Sequence, residues 1–148
     1  YLDQIPSLKE IKMTVEVGRP FPLHAGASGK AILAFAPPGL RAQVLSGELE
    51  ALTPLTKVKR SELEKDLAGI EASGVASSLG ERQHGAGSVA APVLGIDGYA
   101  IGSISVCGPV DRFDEDTIRR LGPLVREAAG EISREMGWEE DSPSGREG

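Results

Sequence analysis

The chain has 148 residues, enough for one domain that buries a core without disulfide or metal staples. Sixteen Lys and Arg against twenty-two Asp and Glu leave a net charge of −6, and no basic cluster marks a nucleic-acid surface, so the chain by itself is a poor DNA binder. A single cysteine excludes a disulfide framework and a Cys-rich zinc site and fits the cytoplasm, and no apolar run approaches the ~18 residues of a membrane span.

Tyr1–Pro6 reads as the end of an element. Ile11, Met13, Val15 and Val17 alternate with Lys12, Thr14 and Glu16, the pattern of a half-buried strand, closed by Gly18-Arg19-Pro20. Pro22–Phe35 begins extended, passes through the tiny residues Ala25–Gly29, and becomes helical over 28–36 until Pro37-Pro38 stops it. A short helix is expected over 39–46. Ser61 with Glu64 forms a capping box for a third helix, with Leu63, Leu67 and Ile70 as its apolar stripe and Gly74 as its stop. A short strand, 75–79, and a polar loop, 80–87, follow.

Residues 88–96 and 99–107 read as a hairpin joined by Asp97-Gly98 in a type I′ turn. That turn pairs 96 with 99, 94 with 101, 92 with 103, 90 with 105 and 88 with 107. One face then carries Val89, Ala91, Val93, Ile104 and Val106 and suits a packed helix. The other is apolar near the turn and ends in Ser88, Ser105 and Cys107. The last helix opens on Asp114 as cap, with Phe113 and Ile118 as staple, and presents Ile118, Leu121, Val125, Ala128, Ile132 and Met136. Pro123 is expected to kink it. The last ten residues carry four acids against one base, half of the net charge, and read as a disordered tail.

Gly26-Ala27-Ser28-Gly29-Lys30 invites comparison with a P-loop, but the places of the motif's first Gly and its Ser/Thr hold His24 and Ala31. Lys30 therefore reads as a helix surface charge. Gly85-Ala86-Gly87-Ser88-Val89-Ala90 fits the dinucleotide pattern but opens a strand, not a helix. Two histidines and one cysteine without ligand spacing argue against a metal. His24 reads as a hydrogen-bonded structural residue. A thiol or serine hydrolase would have to pair Cys107 with His24 or His84, and no nucleophile elbow is present. What remains is a helix N-terminus of tiny residues and a strand face ending in small polar groups. These suit capture of a small ligand, or equally the close packing of helix on sheet.

Pro22-Leu23-His24-Ala25-x-Ala27-x-Gly29-Lys30-Ala31-x-Leu33-Ala34 begins a longer pattern. It continues with Gly74, Gly80-Glu81-Arg82, Gly85, Val89-Ala90-Ala91-Pro92-Val93, Asp97-Gly98, Ser103-Ile104-Ser105-Val106-x-Gly108-Pro109 and Arg112-Phe113. Over roughly residues 8–136 this set resembles the effector-binding domain of IclR-family bacterial transcription regulators. The resemblance implies an α+β fold, a GAF/profilin-like antiparallel sheet with helices packed on it and a long C-terminal helix. It implies an effector domain over 1–137, its N-terminal edge truncated and its winged helix-turn-helix absent, with an acidic tail over 138–148. The implied partners are a small-molecule effector (an organic acid or related metabolite), further copies in a homodimer or dimer of dimers, and operator DNA only through the absent domain. The implied protein is a sensor rather than an enzyme, with no cofactor and no membrane contact; a pure dimerisation module is the alternative within that class. The implied ligand residues are Gly26, Ala27, Ser28, Ser78, Ser88, Ser105 and Cys107. Ser78 stands where many members carry Asp, Ser88 where Cys occurs and Cys107 where Ser is common. Loss of the Asp removes a buried charge from that pattern.

Overall fold

The computed structural model describes residues 1–140. In chain order the elements are α1 (Ala27–Ala34), α2 (Pro38–Ser46), α3 (Arg60–Ser73), β1 (Ala76–Leu79), β2 (Ala86–Leu94), β3 (Ala100–Pro109) and α4 (Glu115–Glu135). The strands form one antiparallel sheet in the order β1-β2-β3. One face packs Ala76 and Ala90 beneath Ala27 and Ala31 of α1 and Leu63, Leu67 and Ile70 of α3. The other packs Val89, Ala91 and Val93 against Val125 and Ala129 of α4 and the Phe113 ring. The result is an α+β domain with a helical layer on each side of the sheet, as expected.

Helix α3 stops where Gly74 turns left-handed at φ +73° and returns its N–H to Ile70 O at 2.7 Å. Its start differs from the expected capping box. The helix begins at Arg60, one residue before Ser61, and Glu64 pairs with Arg60 at 3.0 Å instead of reaching back. An i,i+4 ion pair is open to Glu64 once Ser61 lies inside the helix. At α4 the cap is as read: Asp114 accepts the Thr117 N–H at 2.8 Å.

The hairpin keeps the expected pairing from Ser88↔Cys107 to Val93↔Gly102, then shifts by one residue to Leu94↔Ala100. The turn is therefore not the two-residue type I′. Gly98 donates to Gly95 O at 2.9 Å, Gly95 donates to Tyr99 O at 2.9 Å, and Gly98 alone takes a positive φ, +77°. A type I′ turn would force Asp97 left-handed as well. A three-residue loop with a bulge leaves that conformation to the glycine.

Two further expectations are corrected. Residues 11–17 form no strand. Besides a local turn in which Glu16 O accepts the Arg19 N–H at 3.2 Å, their backbone meets the Gln4 side chain, whose amide donates to Val15 O at 2.7 Å and accepts Val15 N–H at 3.1 Å, one rung's worth of pairing. On α4 the buried residues are Gly122, Val125, Ala129 and Ser133, while Ile132 and Met136 are 40% and 54% exposed. The helix rests on the sheet by its small residues, which permit close approach, and Ser133 Oγ accepts the Leu94 N–H at 2.9 Å. Trp138, expected to begin the tail, still donates its N–H to Ser133 O at 2.9 Å. From residue 141 onward the tail lies outside the described residues.

Candidate functional site

Antiparallel pairing puts Ser78 opposite Ser88, and Ser88 opposite Cys107, so these three form one rung across all three strands. The next rung on the same face is Ala76, Ala90 and Ser105. Ser78 is buried, Ser88 half-buried, and Ser105 and Cys107 exposed at the β3 edge. Helix α1 lies over this face, and Ser103 Oγ donates to Ser28 O at 3.1 Å. Gly26 precedes α1 at φ +86°, with no side-chain cap. The N–H groups of Ala27, Ser28 and Gly29 therefore have no intrahelical acceptor. The structure thus collects Gly26, Ala27 and Ser28 at one helix end and Ser78, Ser88 and Cys107 in one rung, with Ser105 beside it at the open edge.

Arg82, which was not among the expected residues, stands beside the Gly26 end of α1. It stands in the loop after β1, half-buried, and its Cβ lies 3.3 Å from where a side chain on Gly26 would begin. Its guanidinium is bonded to the Tyr1 hydroxyl and sits 4.9 Å from the Tyr1 ring and 5.6 Å from the Phe21 ring. Its charge also reaches Cys107. The signal available in sequence was a lone cation in a Gly-bounded loop, which only the topology turns towards α1.

Lys30 is not a surface charge. Its side chain is 1% exposed, and its Nζ meets Asp66 Oδ2 at 2.6 Å, Ser77 O at 2.9 Å and Glu81 Oε2 at 2.9 Å. Lys57 closes the cluster, 2.6 Å from Glu81 Oε1 and 3.3 Å from Asp66 Oδ2. Two cations and two carboxylates thus lock α1, α3 and the Glu81-Arg82 loop together. Burial pushes the Asp66 carboxyl up, but the hydrogen bond and charge of Lys30, then those of Lys57, outweigh it and hold the group below its ordinary value. Burial likewise pulls Lys57 down, and Glu81 followed by Asp66 outweighs that and holds it above its ordinary value.

The histidine and cysteine chemistry is modest. His24 is buried and its Nε2 lies 2.7 Å from Glu50 O, the structural role expected of it. Desolvation pushes the Cys107 thiol above its ordinary value, and the Arg82 charge offsets only part of that. A nucleophilic cysteine needs the opposite shift. Iodoacetamide should accordingly alkylate Cys107 with an apparent pKa above the ~8.5 of a free thiol; a midpoint well below that value would restore the thiol-enzyme reading. Among the described residues no group of three or more His, Cys, Asp or Glu gathers for a metal, and no helix is long and apolar enough to cross a membrane.

Fold and site together define an α+β domain in which a helix covers the sheet face that carries a polar rung. The model of the family described as "Bacterial transcriptional regulator IclR C-terminal" matches residues 1–134, and the chain belongs to that family as its C-terminal domain. The glycerol operon regulatory protein of Streptomyces griseus is 37% identical over 128 residues, 85% of this chain and 50% of that protein. The crystal structure of the Thermotoga maritima IclR superposes with a TM-score of 0.86 at 31% identity, covering 92% of this chain and 56% of that one. The inducer-binding domain of PobR from Acinetobacter, a double mutant in complex with 3-hydroxybenzoic acid, superposes with a TM-score of 0.70 at 25% identity over 80% of this chain and 69% of that one. The chain spans about half the length of the curated relatives it matches.

Proposed function

We propose that this chain is the small-molecule-sensing and oligomerising half of a transcription regulator. The observations that support the reading are the Ser78–Ser88–Cys107 rung on the sheet face that α1 covers and the uncapped start of α1. Unpaired N–H groups there offer hydrogen bonds to a ligand oxygen, and the rung hydroxyls orient it. A relative of this fold that binds 3-hydroxybenzoic acid supports a compact organic ligand in such a domain.

In the full-length protein, effector binding selects one arrangement of a dimer or dimer of dimers and so alters the affinity of an N-terminal DNA-binding domain for its operator. Such a shift is limited by the difference in effector affinity between the two arrangements. The sensor reading is tested by thermal unfolding of the chain across a panel of small acids, alcohols and sugars. A true effector at about 100 times its Kd stabilises by about 2.7 kcal/mol. Ser88→Leu places an apolar side chain in the middle of the rung and should abolish that stabilisation while the variant's own melting remains cooperative. Equal stabilisation of wild type and Ser88→Leu would remove the rung from the ligand site.

A further inference from the structure

We infer that residues 50–57 form a strap that ties the approach to α1 to the end of β1, and that this strap opens as a unit of its own, far more often than the chain unfolds. The inference rests on the sensor reading above for what those two walls enclose, and adds the device that holds them together.

The first observation is what the segment grips. Residues 47–59 join α2 to α3, a longer connection than the roughly 2–8 residues usual between packed helices. At one end the Glu50 carbonyl lies 2.7 Å from His24 Nε2. A carbonyl only accepts, so that nitrogen carries the ring proton. His24 leads into Gly26 and the start of α1. At the other end Thr53 Oγ1 donates to Gly80 O at 2.6 Å, and Thr56 Oγ1 donates to Glu81 O at 2.5 Å. Gly80 and Glu81 follow directly on β1, the strand that carries Ser78. His24, Thr53, Thr56, Ser78 and Glu81 are each less than a tenth exposed.

The second observation is how the segment is held. Among the described residues the only main-chain to main-chain bond made within 48–58 is local, Thr56 N–H to Thr53 O at 3.2 Å. Its larger apolar side chains turn outward, with Leu55 63% and Val58 45% exposed, and its buried side chains are the two threonines. A hydroxyl has one proton to give and accepts up to two. Thr56 Oγ1 accepts the Leu52 and Thr53 N–H groups at 3.1 and 3.0 Å, and Thr53 Oγ1 accepts the Leu55 N–H at 3.1 Å. These amides therefore depend on hydroxyls whose own protons cross to the opposite loop. A segment with little apolar burial and a few shared polar anchors opens locally.

Glu81 carries that opening to both walls. Its carbonyl takes Thr56, and its carboxylate takes Lys57 of the strap and Lys30 of α1. The Lys30 N–H in turn bonds Gly26 O at 3.1 Å, in the first turn of α1. Thr56 is thus a positioning residue that acts through Glu81.

The test is amide hydrogen exchange, followed by NMR on the ligand-free chain at urea concentrations below unfolding, for wild type, Thr56→Ser and Thr56→Val. In wild type the Leu52, Thr53 and Leu55 amides should exchange through an opening at least about a hundredfold more frequent than the one that exposes the Leu67 and Ile70 amides of α3. Its urea dependence should be shallower, because little surface is exposed. The Gly80 N–H, bonded to Ala86 O at 2.7 Å, and the Lys30 N–H should share the strap's opening frequency and urea dependence. Thr56→Val should open the strap about tenfold more often, whereas Thr56→Ser, which keeps the hydroxyl, should stay within about twofold of wild type.

Strap amides that open only together with Leu67 and Ile70 overturn the inference, because the segment is then part of the global unit. A strap that opens alone, without Gly80 and Lys30, overturns its role in tying the walls. Equal opening in Thr56→Ser and Thr56→Val overturns the hydroxyl as its anchor. Should Thr56→Val fail to melt cooperatively, the wild-type pattern and its retention in Thr56→Ser decide. Because the exchange is measured without ligand, a panel that yields no effector strikes the sensor reading and leaves the strap standing.

Discussion

Replacing Lys30 by Met should cost about 3–5 kcal/mol of folding stability, read as a lowered urea midpoint at neutral pH. The magnitude follows from what is left behind. Met fills much of the same volume, so the loss is not a cavity. Glu81 Oε1 keeps Lys57 at 2.6 Å, but Oε2 has no other neighbour to compensate it; even in wild type it has no hydrogen bond of good geometry and depends on the Lys30 charge at 2.9 Å. Removing Lys30 leaves two carboxylates facing one cation at a largely buried site. The double variant Lys30→Met/Glu81→Leu leaves Lys57 and Asp66 as a matched pair and should be more stable than Lys30→Met alone, with a coupling in the range of about 0.5–3 kcal/mol. Strict additivity would mean that the two groups do not interact in solution.

The same cluster sets a pH window. Asp66 is depressed in the folded chain, so its contribution is present above its unfolded pKa of about 3.9 and is lost as pH falls through the lower folded value. Lys57 is raised, so its contribution is present below about 10.4 and is lost as pH rises through the higher folded value. The melting temperature of wild type should form a plateau between those limits. In Lys30→Met the acid edge should move to higher pH, because the group that chiefly holds Asp66 down is gone.

Lys30 also marks where reading from sequence stopped. Its three partners lie 36, 47 and 51 residues away along the chain, on α3, β1 and the loop beyond it. Nothing in a Gly-Lys step at the start of a small-residue helix carries that information. Local chemistry was more legible: the Gly74 stop, the Asp114 cap and the pairing of Ser88 with Cys107 each depend on residues near in sequence or on one turn. Alternation misled at 11–17, because it describes which face a strand would bury and not whether a neighbouring strand is there to pair with it. Size misled on α4, where the large apolar residues flank the contact that Val125, Ala129 and Ser133 make. Within the candidate site the rung residues were reachable through register, whereas Arg82 needed the loop's path over Gly26.

Gly29→Ala should destabilise the chain by about 2 kcal/mol, against the ordinary preference of a helix for Ala. Helix propensity alone favours the change by about 1 kcal/mol, and Gly69→Ala in α3, where nothing lies within 4 Å of the new Cβ, should show that gain. At Gly29 the new Cβ would stand 2.9 Å from Leu23 O and 3.0 Å from both Leu23 C and Leu23 Cα. These are backbone atoms, so no rotamer change relieves them, and overpacking of this kind costs up to about 3 kcal/mol. The relief open to the chain is displacement of Leu23–Gly26 from α1, which would carry the uncapped helix start away from the Ser78–Ser88–Cys107 rung. Effector-dependent thermal stabilisation should therefore shrink in Gly29→Ala and stay intact in Gly69→Ala, even after each is compared with its own ligand-free melt. Loss of stability without loss of ligand response would separate the packing role of Gly29 from the position of the site.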